Sequence, residues 1–398
     1  MSGKQLTFID PFTNNTIQKI YFGAPGSGKS HIVADLTLPY KEHTFRITFH
    51  PDSDYASFVG SYKPVTNKNE LFHKAPMTID DLAAILKDMY KNGKNTNASV
   101  IQFGIEYSNY FNGTIASYSK TDVVNKAIPK TKKYYVELNK ALNLVPWVKD
   151  KLQSVYISYQ FVPQAFTNAY VAAWKNPDEP VFLVIEEINR GNCAQIFGDL
   201  FQLLDRDEQG ESEYPINVDT DLRHYLESGK ALGKEHNGIK DGKIKLPKNL
   251  HILATMNTSD QSLFPMDSAF KRRWEWEYVP VDPANPKSQF VITIGEKRYK
   301  WASFLVNVNE RIHKLSDSED KQMGNFFIKS DIGVEEFKSK VMFYLWSEVC
   351  KEYEKCGSFF KDKGDNDTEF TFNSLYPTNE ATNKRLQGFM EYLGVEEA

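Results

Sequence analysis

The apolar positions of this chain follow two patterns. Up to about residue 280, short continuous apolar runs alternate with polar and glycine-rich stretches; beyond Pro283 the apolar residues recur at helical spacing. From Thr16 the chain reads TIQKIYF, then a glycine-rich turn, then SHIVADL, which predicts strand, turn and helix in succession. Arg46–His50 (RITFH) predicts a second strand. Pro180–Ile185 (PVFLVI) and Leu250–Thr255 (LHILAT) are apolar without alternation, as in parallel strands covered on both faces. Helices are predicted at Thr78–Tyr90, opened by a Thr cap with an acid three residues later, at Ala194–Leu204 and at Phe264–Arg273. Trp274–Val281 reads as extended, and residues 206–250 as a polar excursion with a short hairpin. Helical stretches follow at 301–315, 334–355 and 384–394. The sum is an α/β sheet domain followed by a helical domain, with the boundary near Asp282–Pro286 and no fixed-period repeat.

Composition narrows the function classes. A chain of 398 residues with 41% hydrophobic and 25% charged residues can build a packed core, which excludes wholesale disorder. Its length suggests two or three domains. A net charge of −4 excludes a globally basic nucleic-acid coat. No apolar run reaches the length of a membrane span, so no membrane partner is expected. The N-terminus lacks a basic start followed by an apolar stretch, so no signal peptide is expected. Cys193, Cys350 and Cys356 have no zinc-site spacing and read as thiols in a reducing cytoplasm. One segment departs from the average. Residues 91–155 hold ten lysines against four acids, a charge of +6 that leaves −10 for the remainder, together with Phe103, Tyr107, Tyr110, Phe111, Tyr118, Tyr134 and Tyr135. This is either a folded insertion with a solvated lysine face or a surface on which lysines meet phosphates and aromatics stack on bases.

The chemistry concentrates at three places. Gly23, Ala24, Pro25, Gly26, Ser27, Gly28, Lys29 and Ser30 match the phosphate-loop pattern in full, between a predicted strand and a predicted helix. Glycines there let successive N–H groups turn toward phosphates, and the helix N-terminus adds partial positive charge. Lys29 would reach the β- and γ-phosphates and Ser30 would ligate Mg²⁺. Glu186 and Glu187 directly follow the PVFLVI strand, where one carboxylate can hold the metal, directly or through water, and the next can activate water. Asn257 follows the LHILAT strand and can orient that water or touch the γ-phosphate. Lys271, Arg272 and Arg273 close the following helix, where cations complement the helix dipole or reach a neighbouring subunit's nucleotide.

The ordered set GAPGSGKS, FHPDSDYASFVGSYKP, EEINRGNCAQIFGDLFQLLD, MNTSDQS and AFKRRW resembles the McrB-like AAA+ nucleoside triphosphatases, over roughly residues 17–64 and 180–282. Gly324–Phe327 (GNFF) is similar to a weaker signature in that family's helical lid. The resemblance implies a P-loop AAA+ parallel sheet sandwiched by helices and followed by a helical lid. It divides the chain into a short lead (1–16), a nucleotide-binding domain (17–283) with a basic, Tyr-rich insertion at about 65–160, and a lid (284–398). It implies a homo-oligomeric ring, usually a hexamer, with GTP or ATP at the subunit interfaces and Mg²⁺ as cofactor. Glu186 would hold the metal and Glu187 activate water. Asn257 would be the first sensor, positioned by Asp260, and one of Arg272 and Arg273 would act in trans. Asn189 and Arg190 would face a neighbouring subunit. The partners implied are an McrC-like nuclease subunit and, through the complex, DNA.

Glu186 stands where most P-loop enzymes have Asp. The chain departs from the family's pattern in three respects: Gln261 stands where the family carries Arg, the region between residues 64 and 180 is much longer than the family core needs, and the family's N-terminal reader of modified DNA is not visible. Only about sixteen residues precede the first strand, so a reader of modified DNA is expected to be absent or to lie on another polypeptide. No nuclease signature is visible, so cutting is expected from a separate subunit. Two other functions fit the same core: a MoxR-like remodeller of protein substrates and a nucleotide-gated scaffold with little turnover.

Overall fold

The computed structural model describes residues 16–67, 78–91, 97–111, 118–128, 130, 135–144, 156–260, 264–351 and 356–398. Residues 1–15 of the N-terminal lead, Tyr134, Gln261, and the lysines at 94, 132, 133, 149 and 151 lie outside the described residues, as does the side chain of Asp260. Two compact units emerge, one of Met1–Ser61 with Phe161–Ala398, the other of Tyr62–Gln160.

The first unit is built on a parallel sheet of five strands: β1 (Gln18–Gly23), β2 (Thr44–Thr48), β3 (Val181–Glu186), β4 (Leu250–Asn257) and β5 (Glu275–Tyr278). Their spatial order is β2-β3-β4-β1-β5. The apolar runs explain it. β3 and β4 are buried at every residue except the last and take inner places, whereas β2 and β5 alternate with exposed residues and form the edges. Within β3, Val181, Leu183 and Ile185 enter the larger core on one face, and Phe182 and Val184 enter a smaller one with Val33 of helix α1 (Lys29–Thr37) on the other. Each fully buried side chain of this kind contributes about 1.5–3 kcal/mol. β2 begins and ends two residues before the expected RITFH run, because His50–Ser53 turns the chain, with the His50 N–H donating to Ser53 Oγ at 2.9 Å.

Two predicted helices are shortened. Ala194–Leu204 is divided into Cys193–Phe197 and a tighter turn at Gly198–Leu204, where Gly198 takes φ 50°. Phe264–Arg273 reduces to Ser268–Lys271, which starts where Asp267 caps the Phe270 N–H at 2.6 Å.

His251 lies on β4 between the sheet and the chain that leads into it. It is buried, stacks on Phe182, and its Nδ1 accepts the Ile17 N–H at 3.0 Å. Burial, helped by the nearby Arg206 charge, pushes its pKa from 6.5 down to about 4. Between those values the unfolded chain binds the proton and the folded chain does not, so stability is lost as pH falls through that window. The loss is expected to be roughly 3 kcal/mol. Urea unfolding at pH 7 and pH 4.5 measures it, and His251→Asn, which can still accept from Ile17, should flatten the slope. An unchanged slope in the variant would assign the pH dependence elsewhere.

After Pro283 the first unit continues as a helical part with its own core, centred on Trp301, Phe304, Phe337, Leu345, Leu386 and Phe389. Trp301–Ser316 and Glu380–Leu393 are its long α-helices, and Val334–Val349 is helical with wide turns at Phe337–Met342 and Leu345–Val349. A small sheet of Val291–Ile294, Lys297–Lys300 and Ile332–Gly333, not predicted, accompanies these helices, its first two strands before Trp301–Ser316 and its third after it. Cys350 is disulfide-bonded, which corrects the expectation of three thiols, while Cys193 is a buried thiol. Among the described residues no helix is long and apolar enough to cross a membrane.

The described residues of the second unit are helical apart from the strands Gly60–Asn67 and Tyr156–Pro163, which lie at its two ends and pair with each other. Its helices α2 (Ile79–Lys91), α3 (Asn97–Glu106), α4 (Lys120–Ala127) and α5 (Tyr135–Asn143) enclose a core that includes Leu86, Val100, Phe103, Tyr107, Tyr110, Val124, Leu138 and Leu142. α2 starts at the expected capping box. Thr78 N–H and Oγ1 donate to Asp81 Oδ2 at 2.7 and 2.8 Å, and Asp81 N–H donates to Thr78 Oγ1 at 3.2 Å.

Candidate functional site

The carboxyl ends of β1, β3 and β4 meet at one edge of the sheet, with Gly23 beside Asn257 in the register. Such an edge is where open α/β sheets bind ligands. The loop Gly23–Ser30 leaves β1 there and enters α1. Gly28 holds φ 99° and caps α1 in the left-handed region, a conformation that costs glycine little. Lys29 is buried, and its ammonium donates to the carbonyls of Gly23 and Ala24 at 3.1 and 2.8 Å.

The helical part of the same unit presses on this loop. Gly324 N–H donates to Pro25 O at 2.8 Å and Phe326 N–H to Gly26 O at 2.7 Å. The GNFF segment is itself anchored. Trp301 Nε1 donates to Asn325 O, Asn325 Oδ1 accepts the Asp282 N–H, and Asn309 bonds both backbone groups of Met323. A Cβ on Gly324 would lie 2.1 Å from Ser27 N and 2.2 Å from Gly26 C, both backbone atoms that cannot swing away. Gly324→Ala is therefore expected to force the two segments apart and to weaken triphosphate binding at least tenfold, with the far-UV circular dichroism retained. A fluorescent-nucleotide titration reads the effect, and an unchanged Kd would show that this contact does not shape the loop.

At the ends of β3 and β4 the two glutamates separate. Glu186 accepts from Ser30 Oγ at 2.8 Å and from Thr255 Oγ1, and pairs with the guanidinium of Arg46, midway along β2. Its carboxylate is thus tied to the first turn of α1. Glu187 turns the other way because its backbone is left-handed, with φ 54° and ψ 48°, which is sparsely populated for a side chain of this size. Its N–H donates to Thr255 Oγ1 at 3.2 Å, and Asn257 Nδ2 donates to both carboxylate oxygens at 2.8 and 2.7 Å. The first fixes the backbone and the second aims the carboxylate from the strand end.

The remaining predicted residues sort themselves. Asn189 is buried, and its Nδ2 holds the Asn257 carbonyl at 3.0 Å, so it braces the site from within and does not face a neighbour; Arg190 beside it is exposed. Arg273 is only 8% exposed, donates to Asp205 at 2.6 Å and to Ala269 O at 2.8 Å, and lies 3.9 Å above the Phe201 ring. Arg272, one residue earlier, is exposed. Asp260 ends the turn Thr258–Asp260 that follows β4. Sequence reasoning missed Arg46 and Thr255. Arg46 lay in a predicted strand, but nothing in its spacing revealed that β2 runs beside β3 and ends at Glu186.

The edge therefore combines a backbone cradle, a cation, a hydroxyl–carboxylate pair and a second carboxylate held apart from the first. Such a set can bind phosphate oxygens, hold a hard divalent ion and deprotonate water. The chain is 32% identical over 346 residues to a protein of Bacillus subtilis (strain 168) named Type II restriction enzyme BsuMI component YdiS, covering 84% of this chain and 79% of that one. It is 25% identical over 158 residues to the Type IV methyl-directed restriction enzyme EcoKMcrB subunit of Escherichia coli (strain K12), covering 39% of this chain and 30% of that subunit. Residues 78–151 match a family model described as an HTH-like domain.

Proposed function

Because this chain belongs to the McrB-like family of restriction-system components, we propose that it is a nucleoside triphosphatase that drives a DNA-restriction complex, with hydrolysis of GTP or ATP as its reaction. One observation carries the proposal. Asn257 orients Glu187 at the strand end beside the Ser30–Glu186 pair and the phosphate loop, which separates a metal-holding carboxylate from a water-activating one.

In this reading the N–H groups of Gly26–Ser30 and the α1 terminus bind the phosphates, and Lys29 exchanges its carbonyl partners for β- and γ-oxygens. Ser30 and Glu186 fit Mg²⁺, since they offer adjacent hard oxygens and Mg²⁺ takes its other ligands from phosphates and water. The ion, when bound, screens phosphate charge. Arg46 balances the charge of Glu186 from the opposite side. Glu187 takes the proton of the attacking water while Asn257 keeps the carboxylate facing it. Arg272, exposed on its own subunit, completes a neighbour's site in a homo-oligomeric ring, proposed as a hexamer, whereas Arg273 stays inside the fold. Cutting falls to a separate McrC-like nuclease subunit, and the complex works on DNA in the cytoplasm. The test is Mg²⁺-dependent turnover by wild type beside Glu187→Gln, with copurification of a nuclease partner. Turnover as slow in assembled wild type as in the variant would leave a nucleotide-gated scaffold. Turnover indifferent to both DNA and nuclease would favour a remodeller of protein substrates.

A further inference from the structure

The second unit has a charge and a surface that the triphosphatase chemistry does not use. Residues 62–160 contain fourteen lysines, no arginine and eight acids, which is +6, and the remainder of the chain is −10. Six of the rings read as possible base-stacking partners serve the helical core: Phe103, Tyr107 and Tyr110 are buried, and Phe111, Tyr118 and Tyr135 pack against them, whereas Tyr62 and Tyr159 in the flanking strands are exposed. Those six rings are spent on packing and are not offered to bases. The lysines are different. Lys87, Lys91, Lys130 and Lys140 are exposed.

The last two described helices, α4 and α5, follow each other in the chain and pack together within the segment that matches an HTH-like domain. On α5, Leu138, Ala141 and Leu142 face the core. Val136, Lys140 and Leu144, four residues apart, form an outward stripe, with Val136 55% and Leu144 51% exposed. Lys130 stands in the connection that leads into this helix.

We propose that residues 78–151 are a double-stranded DNA-binding module that docks through α5 and Lys130. The second helix of such a pair enters the major groove. There Val136 and Leu144 would meet thymine methyl groups and sugar edges, and Lys130 and Lys140 would neutralise phosphates. A surface with lysine and no arginine holds phosphates as point charges and lacks the bidentate fork that reads guanine. The module would therefore grip duplex DNA with little sequence preference and leave site choice to another part of the complex. This inference does not depend on the triphosphatase reading, since it concerns a different unit and a different ligand.

The full chain is titrated with a labelled 30-base-pair duplex by fluorescence anisotropy over a series of salt concentrations, without nucleotide. Expected is an affinity that falls linearly in log–log form with salt. The Lys130→Glu/Lys140→Glu variant should bind at least tenfold more weakly at about 0.1 M salt, with a slope shallower by roughly two. Lys314→Glu, an exposed lid lysine, should bind as wild type does. The milder Lys140→Gln should fall between, and triphosphate turnover and thermal melting should match wild type throughout. The proposal is overturned if the double variant binds duplex as tightly as wild type or if binding ignores salt. It is equally overturned if the single strand binds more tightly than the duplex, or if an acidic protein depends on these lysines while the duplex does not.

Discussion

Glu187→Gln is expected to lower the rate constant of triphosphate hydrolysis by roughly 10²–10⁴-fold, the range of a positioned general base. Nucleotide affinity should change less than about threefold. The split follows from geometry. The Glu186 carboxylate is bonded to Ser30 and Thr255 and the Glu187 carboxylate to Asn257, and Glu187 meets Thr255 only through its backbone N–H, so removing the charge of Glu187 leaves the phosphate and metal side untouched. The amide is nearly isosteric but cannot take a proton, and its NH₂ would meet the Asn257 Nδ2 donor where an oxygen now accepts. Single-turnover hydrolysis with a parallel binding titration separates the two effects. Affinity and rate falling together would mean that Glu187 supports the cradle and is not the base.

Arg272→Ala is expected to abolish most of the turnover of the assembled protein, by 10³–10⁵-fold if it acts as a finger on transferring phosphate, on the order seen for such arginines. The unassembled chain should hydrolyse as slowly with the mutation as without it. Lys29→Ala alone should also be inactive. Mixing the two variants should restore part of the activity, because an Arg272→Ala subunit keeps an intact phosphate loop and a Lys29→Ala neighbour still supplies the arginine. Mixtures that stay silent would place Arg272 outside the reaction. Arg273→Ala should behave differently. Its guanidinium is spent on Asp205, the Ala269 carbonyl and the Phe201 face, so its loss should lower the melting temperature whether or not the subunits assemble.

The two arginines also show where sequence reading stops. AFKRRW places two cations at a helix end and cannot say which faces out. The helix proved to be only Ser268–Lys271, which turns Arg273 toward Asp205 and leaves Arg272 exposed. The insertion is a second case. Its aromatic content was plain, but whether rings face a core or a ligand depends on which helices pack, and α2–α5 pack around them. Asn189 is a third, since its motif suggested a neighbour-facing residue and its side chain proved to hold the adjacent strand. The GNFF segment was noticed as a signature, yet its contact with the phosphate loop spans some 300 residues of chain and carries no local pattern.

What the amino-acid order determined by itself was whatever short-range physics governs. Continuous apolar runs placed β3 and β4 in the interior, and glycines at 23, 26 and 28 made the turn before α1. What only the tertiary structure decided was which distant charges become partners. Arg46 with Glu186, Asn257 with Glu187, and Gly324 against Ser27 are encounters set by strand order and by packing of the helical part. Local patterning is fixed over a few bonds, whereas these distances of a few ångströms arise only once the sheet has assembled and brought remote segments together.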